Sequence, residues 1–116
     1  MWKILTMTVV LAAPAMAADW KMRAGDKVFE TEALQARLSG QTLVFFDDGR
    51  SVYGADGQYT YTYGGGGTWE GRWAAAEDSA VCVTFVTDVT RCDRIVENAG
   101  KLVVLTEKGE RFPVKP

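Results

Sequence analysis

The sequence predicts an all-β domain: a small antiparallel meander closing into a flattened eight-strand barrel or a half-barrel, with one short N-terminal helix. Three observations carry this. Residues 41–114 read as eight short runs in which apolar and polar side chains alternate. Short turn stretches, Asp48-Gly49, Asp56-Gly57, residues 64–67, 77–79 and 98–100, and Lys108-Gly109, lie between those runs. Before them, only residues 31–38 show apolar side chains at helical spacing.

Residues 1–17 read as a secretory signal peptide. Lys3 gives the positive start, residues 4–13 are apolar and uncharged, Pro14 ends the run, and Ala15-Met16-Ala17 is an A-x-A cleavage site. The run is too short to span a bilayer as a helix. No Cys lies near the cleavage site to carry a lipid. The expected organisation is therefore a signal peptide, 1–17, and a single β-barrel-like domain, 18–116. A periplasmic or secreted location follows, with no stable membrane anchor.

Residues 18–29 alternate at first, Trp20 and Met22 with Lys21 and Arg23, and then break at Gly25-Asp26, as a short strand or an ordered arm would. In 31–38, Leu34 and Leu38 are one helical turn apart and Gly40 is placed to end the helix. Two turns cannot stand alone in water, so this helix must dock on sheet. The eight runs are 42–46, 50–53, 58–63, 68–74, 80–86, 89–96, 101–106 and 110–114. Asp48-Gly49 and Asp56-Gly57 are hairpin signals, read as type I′ turns that need positive φ. With no helical crossovers, the sheet must be antiparallel. Eight strands leave two exposed edges unless the sheet closes, and closure at that number gives an interior filled by side chains or holding one small ligand.

Length, charge and composition exclude several functions. A chain of 116 residues has room for one core. A net charge of −2 lacks the basic excess of a nucleic-acid binder. With no His, there is no Ser-His or Cys-His catalysis and no usual zinc site. Cys82 and Cys92 form an even pair in an exported chain and read as a disulfide; their spacing is not the C-x-x-C of redox enzymes.

The distinctive stretch is Tyr59-Thr60-Tyr61-Thr62-Tyr63, whose alternation puts three tyrosines on one face. Trp69 and Trp73 share a face across Gly71, with Glu70 and Arg72 opposite. These aromatics read as core or as a platform for a ligand, and Tyr59, Tyr61, Tyr63, Trp69, Trp73 and Arg72 are the candidate binding residues. Residues 64–67 are all Gly but lead into a strand without Lys, so they form a hairpin loop and not a phosphate-binding loop. Asp47, Asp48 and Asp56 match no calcium loop, and no metal or cofactor is assigned. In 91–94, Arg91 and Asp93 share one strand face and Arg94 takes the other; this reads as a solvated face, or as an anion-docking spot shared by Arg72, Arg91 and Arg94. The acids are scattered and no nucleophile motif is present, so no catalytic residue is assigned and a hydrolase is the least favoured reading.

The order of several short elements, residues 38–42, Tyr53, Asp56-Gly57, Tyr59-x-Tyr61, Gly71-x-Trp73, residues 81–85, Arg91-Cys92-Asp93 and residues 111–114, resembles small secreted β-rich proteins of Gram-negative, chiefly alphaproteobacterial, bacteria. The resemblance covers residues 31–114. It implies a periplasmic β-rich domain with one disulfide, and it transfers no catalytic or binding residue. In architecture alone the expected fold is similar to small calycin-like barrels, among them lysozyme inhibitors of the bacterial envelope. The expected function is non-enzymatic binding of a small molecule or an envelope protein. The alternative is an inhibitor or accessory subunit of an envelope enzyme.

Overall fold

The computed structural model describes residues 20–116, so the signal-peptide reading of 1–17 lies outside the described residues. Helix α1 (Thr31–Leu38) has no side-chain cap at its N-terminus. Its stability comes from docking instead. Leu34 and Leu38 are fully buried, each contributing about 1.5–3 kcal/mol of apolar burial. Thr31 Oγ1 donates to the Ala76 carbonyl at 3.0 Å, and Gln35 Oε1 accepts from the Ala75 N–H at 2.9 Å. The helix thus plugs one end of the sheet.

That sheet is an antiparallel meander of β2 (Gln41–Val44), β3 (Arg50–Tyr53), β4 (Gln58–Thr62), β5 (Thr68–Ala75), β6 (Ala80–Phe85), β7 (Thr90–Asn98), β8 (Lys101–Leu105) and β9 (Arg111–Pro113), in chain order. The arm before α1 adds β1 (Lys27–Val28), which pairs with Val96 and Glu97 of β7 where β6 has ended. Ser79 makes this junction. Its backbone has φ +62°, its N–H-facing carbonyl accepts from Ile95, and its buried Oγ accepts from the Phe29 N–H.

Of the two expected forms, the half-barrel is the one observed. β2 and β9 form no ladder, but the chain just beyond each one meets: Phe45 bridges Val114, and the Lys115 N–H donates to the Val44 carbonyl at 2.7 Å. Alternation then sorts the side chains. Leu43, Tyr53, Tyr59, Trp73, Val81, Val83, Ile95, Leu102 and Val104 face inward with Leu34 and Leu38 to form the core. A smaller cluster, Val96, Val103 and Leu105, faces outward beneath Trp20 of the arm, and Arg94 lies over the Trp20 ring at 5.0 Å.

The turns differ from the sequence reading. At Asp48-Gly49 only Asp48 has positive φ, and at Asp56-Gly57 only Gly57 does. Each hairpin has a three-residue loop: an i+3→i hydrogen bond, then one left-handed residue before pairing resumes. The same closure recurs at 85–89 and 106–110, with Asp88 and Gly109 left-handed, and the same hydrogen bonds close 63–67, where Gly66 and Gly67 both have positive φ. A two-residue turn with positive φ at both centres occurs at Ala99-Gly100, where Asn98 pairs with Lys101.

Cys82 and Cys92 are bonded and stand opposite each other across β6 and β7, on the outer face. Asp26 fastens the arm. Its carboxylate accepts from Arg111 (Nη1 to Oδ2 2.8 Å, Nη2 to Oδ1 3.0 Å), from Asn98 Nδ2 at 2.8 Å and from the Arg23 N–H at 2.7 Å. The Arg111 guanidinium holds this carboxyl well below the usual carboxylate range. Among the described residues, no helix is long and apolar enough to cross a membrane.

Candidate functional site

A meander sends alternate hairpins to opposite ends. The 54–57 and 76–79 turns lie at the end that α1 plugs. The hairpin tips at 46–48, 64–66, 86–88 and 107–109 surround the other end, which is open. There a cavity of about 480 Å³ lies between β2–β4 on one side and β7–β9 on the other. That size is in the range of small-molecule sites.

Its depth is set by buried residues: Phe45, Ser51, Tyr53, Val104 and Asp93. Tyr61, Tyr63, Arg91, Glu110 and Phe112 rise from these toward the mouth. The polar floor is connected. The Ser51 and Tyr59 hydroxyls are hydrogen-bonded at 2.9 Å. Burial pushes the Tyr53, Tyr59 and Tyr61 hydroxyls above the ordinary phenol value. Asp93, 9% exposed, stands opposite Val81, and its carboxylate meets Arg91 at 3.2 Å. Burial raises the Asp93 carboxyl, more than the Arg91 charge lowers it. Arg91 itself is 54% exposed and reaches the Phe85 ring at 6.0 Å.

The predicted aromatic platform is on the inner face, but its members divide by depth. Tyr59 and Trp73 are core: Tyr53 packs on both at 5.2 and 5.1 Å between ring centroids, and Trp73 Nε1 donates to the Gly54 carbonyl at 2.9 Å. Tyr61 and Tyr63 line the cavity, their rings edge to face at 5.0 Å. Trp69 pairs with Tyr61 across β4 and β5, stacks edgewise on Phe85 at 6.2 Å and is 46% exposed. Arg72 faces outward, away from the cavity, and donates to the Asp56 carbonyl at 3.1 Å.

Gly71 makes the aromatic row possible. It stands between Tyr59 and Phe85 in the register, and those rings meet at 6.0 Å. A Cβ there would lie 2.5 Å from the Thr84 carbonyl oxygen and 2.9 Å from the Phe85 Cα. Gly64 has a similar duty, since a Cβ at that position would collide with the Asp47 carbonyl of the neighbouring hairpin tip.

Two other expectations are corrected. Arg72, Arg91 and Arg94 do not converge: Arg91 enters the cavity mouth, while the other two lie on the outer face. Arg91 and Asp93 are not a solvated outer patch, because their register partners Val83 and Val81 are core. Ser51 and Tyr53 carried no sequence signal of their own, because β3 is only four residues long and its alternation is brief. The acidic turns have conformational roles: Asp47 and Asp56 accept from the N–H two residues on, and Asp48 pairs with Lys115 at 3.2 Å. Among the described residues, no group of three His, Cys, Asp or Glu side chains could hold a metal ion.

No family model, curated protein or solved structure matches the chain.

Proposed function

We propose that the protein is an exported, non-enzymatic binding module that takes a small ligand into the open end of the half-barrel. The observation that carries this is the cavity itself: about 480 Å³, aromatic on its walls, with the buried carboxylate of Asp93 at its depth. Interiors are normally packed without such space, and a desolvated carboxylate is a poor choice for stability alone. The disulfide and the signal-peptide reading of residues 1–17 support a periplasmic or secreted location.

A second reading has its own support. Phe46, Tyr63, Val86 and Val89 are 64%, 53%, 74% and 59% exposed, and all lie at the tips around the mouth. An apolar rim around a cavity suits a protein partner that inserts a side chain, as an inhibitor or accessory subunit would. Amide NMR of the exported protein with a small-molecule fragment set tests the first reading. It predicts shifts confined to Tyr61, Tyr63, Arg91, Asp93 and Phe112. Shifts confined to the outer face, or none with any fragment, would overturn it.

A further inference from the structure

The charge around the cavity gives the ligand's chemical class, on the premise that the cavity is a binding site at all. Four acids line it, Asp47, Asp93, Glu107 and Glu110, against two bases, Arg91 and Lys108. The walls between them are aromatic, and an aromatic face attracts a cation through its quadrupole. The deepest charge is the Asp93 carboxylate, and the group that faces it is a tethered guanidinium, more than half exposed, on a long flexible stem. A half-exposed ion pair is weak and readily exchanged. We infer that the cavity binds a small organic cation, an amine or quaternary ammonium carrying an apolar group, whose positive end takes the place of the Arg91 guanidinium over Asp93.

Arg91 is then an internal placeholder. It keeps the buried carboxylate paired while the site is empty, and it gives up Asp93 for the Phe85 ring, which it already reaches at 6.0 Å, and for solvent when a ligand cation arrives. The raised carboxyl of Asp93 fits this, since Arg91 compensates its desolvation only in part. An anionic ligand would have to pair with the same Arg91 while facing an excess of carboxylates, and a neutral one would leave Asp93 as it is.

Benzylamine, benzyltrimethylammonium, benzyl alcohol and benzoate share a ring and differ in charge. Their affinities for the exported protein, from amide NMR titration at low salt, decide the matter. Both cations should bind at least about tenfold more tightly than the alcohol, with benzoate weakest, and added salt should narrow the gap. Asp93→Asn should bring benzylamine down to the level of the alcohol, and Arg91→Met should tighten it severalfold. Should Asp93→Asn not fold, the wild-type series and Arg91→Met still decide. Equal binding of alcohol and amine, or tightest binding of benzoate, would overturn the cation assignment while leaving a binding cavity. No shift at the cavity residues with any probe would overturn both.

Discussion

Replacing Asp26 with Asn removes the most concentrated polar contact outside the core while changing almost no volume. The carboxylate is 1% exposed and accepts four hydrogen bonds, two of them from Arg111. An amide has one acceptor oxygen. Its NH₂ must therefore face donors: Arg111 with the Arg23 N–H, or Arg111 with Asn98. Arg111, 12% exposed, would also lose its counter-charge. Removing one partner of a covered ion pair costs about 3–5 kcal/mol, and a hydrogen bond to a charged group about 1.5–3 kcal/mol, so about 3 kcal/mol is expected for Asp26→Asn. In a domain of this size that is a fall in Tm of roughly 12–24 °C. Urea unfolding followed by tryptophan fluorescence measures it. The pH dependence supplies a second sign. A carboxyl lowered in the folded state contributes stability above its unfolded pKa of about 3.9, lost as pH falls toward the folded value. Wild type should therefore weaken below about pH 5 more steeply than Asp26→Asn. A loss under about 1 kcal/mol, with parallel acid limbs, would refute the argument that Asp26 fastens the arm.

Asp93→Asn should act in the opposite direction. Its folded carboxyl is raised, so its contribution is present below the unfolded pKa and lost as pH rises through the folded one; the variant should melt higher than wild type at pH 7, by differential scanning calorimetry. Gly71→Ala should cost about 1–3 kcal/mol in the same assay, because the new methyl meets backbone atoms of β6 that cannot turn aside. Replacing Cys82 and Cys92 together by Ser should lower stability by about 2–3 kcal/mol, read by urea unfolding.

Much of the fold was legible because period-two alternation and turn residues are local signals. Helix 31–38 has the expected bounds, and each of the eight runs became a strand with ends displaced by a residue or two. The turn geometry was not legible. Whether Asp-Gly forms a two- or three-residue loop depends on which residue resumes pairing, and the partner strand fixes that. β1 has two residues and exists because β7 outruns β6. For the site, alternation correctly grouped the tyrosines and tryptophans, and Arg91 with Asp93. It could not say which face was inward for 91–93, since that depends on register with Val81 and Val83. Nor could it give depth along the barrel, which separates core Tyr59 and Trp73 from Tyr61 and Tyr63 at the cavity.

A cavity walled by both halves of the sheet exists only if the outermost strands approach each other. Amide hydrogen exchange and nuclear Overhauser contacts at the seam between Phe45 and Val114 test this directly. The account predicts a cross-strand contact between these two residues and a slowly exchanging Lys115 amide, held by the Val44 carbonyl. A fast-exchanging Lys115 amide with no contact across the seam would mean an open sheet, and with it no enclosed site.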